Sequence, residues 1–398
     1  MFGKNLQGKK LQENSVELEI DKIASGGSGV GRLEGRAVFV AGACPGDRIT
    51  ARIIEKRDSW SKAELVEILQ PGKDRIEAEC PWYGSCGGCT LQHVSYEGQL
   101  GAKKLLLSDA FQHIGGIADA RICKVVPSTP YGYRNRMQLH RVNKPGRNEA
   151  AVGLKKRSGN QVLPLDCCPV ADVGIQDAML RRTLFAPPWT DRFHVFSHGN
   201  VFLVEGGRTE RGRIRILDRE LSLNVRNFFQ SNVTVLEILI EDVMRFAMEA
   251  PGDGRALDLY CGVGTFGAFL SSHFSRLDMV ETDKESVTIA RENVQGPGIR
   301  HFAWTDDEWV RRVESREEPY AFALVDPPRT GLSAALRQGL TERKPGLLAY
   351  VSCDPATLAR DTKDLIRGGF LLDSCAAYDF YPQTSHVETL AFFRSGDR

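Results

Sequence analysis

Beyond Ser231 the chain alternates a helical stretch, Val233 to Met248, with short apolar runs at Leu257–Leu259, Leu277–Val280, Phe322–Val325 and Leu348–Val351, which further helical stretches separate. Regular βα alternation leaves few folds open, and the one it builds most simply is an α/β doubly wound parallel sheet. Residues with reactive side chains cluster just after these runs, at the carboxyl edge of such a sheet, where ligands of open α/β folds bind.

The first part of the chain has a different period. Val16–Ile20, Ala37–Val40, Ile49–Ile54 and Ala63–Ile68 alternate polar and apolar residues, with turn chemistry between them at Gly26-Gly27-Ser28-Gly29 and Pro45-Gly46-Asp47. Half-buried strands joined by Gly-rich turns predict a small barrel. A chain of 398 residues is expected to hold ~2–3 domains. The formal net charge is only +1. Residues 121–226 nevertheless carry 19 Lys/Arg against 9 Asp/Glu, whereas 227–398 carry 18 against 26. A basic middle between acidic flanks predicts a polyanion footprint on that segment.

Four segments could carry chemistry. Gly262-Val263-Gly264-Thr265-Phe266-Gly267 fits G-x-G-x-x-G, and Glu281 ends the next strand at about the ~20-residue distance from which a carboxylate reaches ribose hydroxyls. That pair fits a nicotinamide dinucleotide and S-adenosylmethionine equally. Asp326-Pro327-Pro328-Arg329 follows a later strand, and Ser352-Cys353-Asp354-Pro355 the one after it. Pro382-Gln383-Thr384-Ser385-His386-Val387-Glu388 stands near the end.

Taken together, these segments resemble the RNA 5-methyluridine (uracil-C5) methyltransferases, and the first 70 residues resemble the OB-like TRAM domain. The resemblance implies a C-terminal class I, Rossmann-like domain that binds S-adenosylmethionine, closed by a hairpin of 376–380 with 389–393. It implies Cys353 as nucleophile toward uracil C6 and Glu388 as base for the C5 proton. Gln230, Tyr260, Gly262, Thr265, Glu281 and Asp326 become cofactor contacts. The chemistry agrees, since uracil C5 is too weak a nucleophile until a thiolate adds at C6. Asp354 departs from the Asn usual in the family. An anion there would raise the Cys353 pKa unless it is paired or points away.

Cys80, Cys86 and Cys89 form C-x5-C-x2-C, with Cys167-Cys168 far downstream. Four thiolates suit a structural zinc or a [4Fe–4S] cluster. The resemblance selects the cluster, held by Cys80, Cys86, Cys89 and Cys168, within a central α+β domain. In the basic segment Tyr131-Gly132-Tyr133-Arg134-Asn135-Arg136 mixes aromatics with Arg, as RNA contacts do, and Arg134, Asn135 and Arg136 are the expected ones. The expected boundaries are 9–70 for the barrel, 76–95 with 121–228 for the central domain, and 96–120 with 229–398 for the catalytic domain.

These readings predict an RNA uracil-C5 methyltransferase acting as a monomer in the cytoplasm, since no apolar run is long enough for a membrane span and no signal peptide opens the chain. Joined TRAM-like and cluster-binding parts point to 23S rRNA before tRNA. Radical S-adenosylmethionine methylthiotransferases share those parts but use C-x3-C-x2-C. A non-enzymatic RNA-folding factor would not need an intact Cys353 and Glu388.

Overall fold

The computed structural model describes residues 15–118, 122–142, 151–312 and 318–396, so residues 9–14 and 121 of the expected boundaries lie outside the described residues. The chain forms two compact units. The first runs to Gly84 and adds 89–102 and 383–385; the second takes 85–88, 103–382 and 386 onward. No helix among the described residues is long and apolar enough to cross a membrane.

In the first unit, β1 (Ser15–Ile23), β2 (Ser28–Leu33), β3 (Arg36–Ala41), β4 (Arg48–Lys56) and β5 (Trp60–Gln70) close a barrel in the order β1-β2-β3-β5-β4. Leu18, Ile20, Val38, Val40, Ile49 and Ala63 fill it. Strand β2 is an addition to the sequence reading, which treated its glycines as turn. The turn is Gly26-Gly27, both at positive φ. Gly29 and Gly31 are instead strand residues at which the backbones crowd: a Cβ on Gly31 would stand 2.4 Å from the Glu19 carbonyl oxygen. Asp47 of the Pro-Gly-Asp turn is fully buried and accepts from the N–H groups of Cys44 (2.7 Å) and Gly72 (2.8 Å) and from the Arg75 guanidinium, which ties the loop before β4 to the segment after β5.

After α1 (Tyr96–Ala110), the second unit begins its sheets with β6 (Ile122–Val126). There follow β7 (Arg136–Val142), β8 (Ala151–Lys155), β9 (Val162–Pro164), α2 (Val173–Leu180), β10 (Arg192–His198) and β11 (Val201–Val204). These five strands form an antiparallel sheet in the order β11-β10-β7-β8-β9. A hairpin, β12 (Arg211–Ile216) with β13 (Arg219–Asn224), leads to α3 (Val233–Ala247), whose N-terminus is capped by Asn232.

The remainder is β14 (Arg255–Leu259), α4 (Thr265–Leu270), β15 (Arg276–Val280), α5 (Lys284–Asn293), β16 (Ile299–Phe302), α6 (Asp306–Arg312), β17 (Tyr320–Val325), α7 (Ala334–Arg343), β18 (Leu347–Ser352), α8 (Pro355–Arg367), β19 (Phe370–Tyr378) and β20 (Glu388–Ser395). One eight-stranded sheet runs β16-β15-β14-β17-β18-β20-β19-β6. Only β20 is antiparallel to its neighbours, which makes the closing hairpin expected from the family resemblance. Strand β14 is buried throughout, as an apolar run covered on both faces by helices requires. Strand β6, which the sequence reading assigned to the central segment, pairs in parallel with β19 and is an edge of this sheet. The signal was weak because its partner lies far along the chain.

Candidate active site

Strand β14 delivers the chain into a tight loop. Tyr260 is left-handed at φ 65°, an unusual conformation for a residue with a side chain, and Gly262 and Gly264 follow at 54° and 85°. Tyr260 and Cys261 N–H donate to the Val280 carbonyl at 2.8 and 3.1 Å, laying the loop over the end of β15. Nothing stands within 4 Å of where a Cβ on Gly262 would lie, so the backbone there faces open space that a ligand can approach. Glu281 accepts from the N–H of Gly262 (3.1 Å) and of Asp283 (2.8 Å), while the Tyr260 hydroxyl donates to Asp306 at 3.1 Å. Gln230 is buried, and its Oε1 has no partner among the described residues. Thr265 opens α4. An open glycine cradle, a carboxylate at the next strand end and an unsatisfied amide oxygen fit S-adenosylmethionine, whose ribose and amino-acid ends need such partners.

Asp326, Cys353 and Glu388 come from β17, β18 and β20, adjacent strands whose ends meet at one edge. Burial, then the charges of Glu388 and Asp326, push the Cys353 thiol up to about 12, with Arg329 opposing. Burial and Glu281 raise Asp326 to about 7. Glu388, 3% exposed, is held well above the usual carboxyl range by burial and by Asp326, and again Arg329 opposes. The pocket thus gathers carboxyls and a thiol whose ionisation burial and mutual charge oppose, with Arg329 as the counteracting cation.

Asp354 is paired. Its carboxylate caps α8, accepting from the N–H groups of Ala356 (2.9 Å) and Thr357 (3.0 Å), so its charge is spent on a helix N-terminus. Asn performs the same capping, which accounts for either residue at this position.

Three participants escaped the sequence reading. Asp258, inside the buried β14, is pushed far up by burial and then by Asp326; its oxygens lack a hydrogen bond of normal geometry, and the Gly267 N–H offsets only part of the rise. Arg329 is the one residue opposing the rise at both Cys353 and Glu388, and its place in Asp-Pro-Pro-Arg was the available signal. His386 lies 3.5 Å from the Arg329 guanidinium and edge-on to Tyr381, and burial with the Arg329, Lys103 and Arg134 cations brings it down to about 4.

The Arg134 guanidinium lies over the Tyr381 ring at 5.9 Å, and Tyr381 is hydrogen-bonded with Ser231. Arg136 donates to the Val225 carbonyl at 3.3 Å. Asn135 is 1% exposed, on the other side of the strand from these arginines, with its N–H donated to Ser231 and its carbonyl accepting from Ser197. Cys80 and Cys89 belong to the first unit, Cys86 and Cys168 to the second. Among the described residues no three Cys, His, Asp or Glu are gathered as a metal would need, so the geometry does not carry the expected cluster. Cys167 turns its thiol to Gln176 at 3.5 Å.

The family described as tRNA (Uracil-5-)-methyltransferase matches residues 209–395, and the TRAM domain matches 11–66. An RNA methyltransferase of Thermosynechococcus vestitus is 30% identical over 96% of this chain and 98% of its own. The 23S rRNA (uracil(1939)-C(5))-methyltransferase of Shewanella sediminis is 28% identical over 95% of each. Among solved structures, the Pyrococcus abyssi tRNA (uracil-54, C5)-methyltransferase in complex with S-adenosyl-L-homocysteine shares the fold, with a TM-score of 0.71 at 24% identity over 95% of this chain and all of that one. With the cofactor cradle and the Cys353 pocket on one sheet edge, the chain belongs to the S-adenosylmethionine-dependent RNA uracil-C5 methyltransferase family.

Proposed function

We propose that this enzyme methylates C5 of a specific uridine in 23S rRNA through a covalent adduct between Cys353 and uracil C6. The observation that carries the reading is the convergence of Cys353, Glu388 and Asp326 in one dry pocket opposed by Arg329. Bound S-adenosylmethionine, held by Gln230, Tyr260, Gly262, Thr265, Glu281 and Asp326, supplies an electrophilic methyl group. With the Cys353 thiol proton and that of Glu388 given up to solvent, the Cys353 sulfur forms a bond to C6, breaking the C5–C6 π bond and moving the pair toward C5 and O4, and C5 then takes the methyl group. Once C5 is methylated, Glu388 takes its proton, the double bond re-forms, and the sulfur leaves C6. A stacked uridine has to be turned out of its helix to reach the pocket, and Arg134 and Arg136 would hold the strand, with Asn135 bracing the loop beneath them. The choice of 23S rRNA rests on the curated relatives; tRNA is the second reading, because the structural neighbour is a tRNA enzyme.

The boundaries proposed are those expected from the sequence, a TRAM barrel at 9–70, a central RNA-binding domain at 76–95 and 121–228, and a methyltransferase domain at 96–120 and 229–398, except that Ile122–Val126 passes from the central domain to the methyltransferase domain. A [4Fe–4S] cluster on Cys80, Cys86, Cys89 and Cys168 rests on their spacing and on the family resemblance. It is tested by anaerobic purification, where about four irons per chain are expected and one zinc would overturn it. A monomer in the reducing cytoplasm, where thiolate ligands persist, completes the proposal. Mapping 5-methyluridine in both RNAs from a strain lacking the gene tests the substrate. Loss from a single 23S rRNA position is expected; loss from tRNA alone would move the reading there, and loss from neither would end it.

A further inference from the structure

The five-stranded sheet presents one face of which the candidate site uses only Arg136. In β7, Arg136, Gln138 and His140 alternate onto that face. Register places Phe196, His194 and Arg192 of β10 opposite them in turn, and Gly153 of β8 opposite His140. Lys155, two residues on from Gly153, shares its face.

The contacts agree with the register. Gln138 Nε2 lies 3.3 Å from His140 Nε2. Burial and then the Lys155 and Arg192 charges lower the His140 pKa, with Asp191 opposing. Burial and then Arg136 lower that of His194, which is hydrogen-bonded with Glu205 at 2.9 Å, and Arg192 adds to the fall. Phe196 and Leu203 close one edge of the face against the core. Toward β8 it opens: Gln138, Lys155 and Arg192 are exposed. Neither the Lys155 ammonium nor the Arg192 guanidinium has an ion-pair partner among the described residues, whereas Arg181, Arg211 and Arg226 pair with Asp177, Glu292 and Glu210.

We infer that this face is a track for the RNA backbone, on which Arg136, Gln138, His140, Lys155, Arg192 and His194 contact phosphate and sugar on the strand leading to the uridine. From Arg136 to His140 the strip is about 14 Å long, and from β8 to β10 about 10 Å wide, room for a single strand and too narrow for a duplex to lie in. Its inner end adjoins Arg134 and Tyr381, so a strand leaving the pocket meets it directly. Lys155, Arg192 and Arg136 stand close enough to add to the burial that depresses the two histidines, and a polyanion relieves their mutual repulsion while releasing its own counterions.

The inference rests on the proposed RNA methylation and is tested apart from it. The probe is a transcribed 23S rRNA stem–loop carrying a loop uridine, with affinity measured by filter binding across salt concentrations. Lys155→Glu/Arg192→Glu should weaken binding about tenfold or more at low salt. The milder Lys155→Gln/Arg192→Gln should lower the slope of log affinity against log salt by about 1.4, the contribution of two phosphate contacts to a single strand. S-adenosylmethionine affinity and melting temperature serve as folding controls. Wild-type affinity and slope in the Gln pair would overturn the track. Failure of the wild-type enzyme to methylate any uridine would remove the proposed function while leaving the binding result to be read on its own.

Discussion

The Cys353 pocket and the β7–β10 face handle charge in opposite ways. In the pocket, carboxylates from neighbouring strand ends face one another with little water, so each ionisation raises the next group and protons are retained. On the sheet face, burial lowers the two histidines and the neighbouring cations, Lys155 and Arg192 in the open among them, lower them further. A dry cluster works as a unit in which no member can be spared, whereas an exposed array works by summation in which each member adds little. Large, specific mutational effects therefore belong to the pocket and small, salt-dependent ones to the face.

The largest expected effect is at Cys353. Cys353→Ala should bind RNA and cofactor yet transfer no methyl group; turnover near wild type, measured with labelled cofactor, would end the adduct mechanism and the contrast with it. Next is Glu388→Gln, which lacks the base for the C5 proton. It should turn over about 10²–10⁴-fold more slowly and accumulate a denaturation-resistant protein–RNA band carrying the label. Normal rates with no such band would remove Glu388 from the reaction.

Asp326 tests the stored protons. Its folded pKa, about 7, lies above the ordinary 3.8, so the fold binds a proton the unfolded chain has lost, and that stability disappears as pH rises through 7. Asp326→Asn should therefore melt about 2–4 °C above wild type at pH 8, with the gap closing near pH 4. An equal gap at both pH values would mean that burial does not govern this carboxyl. In the wild-type enzyme the rate should rise with pH across the same window, as Asp326 loses its proton.

The smallest effect marks where the pocket stops. Asp354→Asn keeps the α8 cap and should change the methylation rate less than twofold, whereas Asp354→Ala should cost about 1 kcal/mol of stability by denaturant melt. A large gain in rate from Asp354→Asn would place its charge in the pocket after all.

The sequence revealed residues that sit inside local patterns. Apolar runs of strand length, the glycine loop and the strand-end Cys353 all showed, because each is set by its neighbours in the chain. What escaped depends on distant pairings. The glycines of β2 look like a turn until the Glu19 carbonyl is brought against Gly31, and the cationic face exists only once residues 136–140, 155 and 192–194 are laid side by side. The direction of each pKa shift in the pocket likewise comes from charges on different strands. The four cysteines illustrate the reverse limit, since a spacing pattern can be clear in the chain while the described geometry does not assemble it.

Strand β6 and its neighbour β19 give the chain an order of assembly. On the ribosome β6 emerges before β19, and residues 127–369 are made in between, roughly 12–50 s at elongation rates of about 5–20 residues per second. Throughout that interval Ile122–Val126 offers an unpaired strand edge to any other nascent chain, and the central sheet must finish folding between two halves of a sheet that does not yet exist. The stretch from β19 to β20 thus closes the catalytic sheet and delivers Glu388 in the same stroke, so a chain cut short before β19 would be both inactive and adhesive.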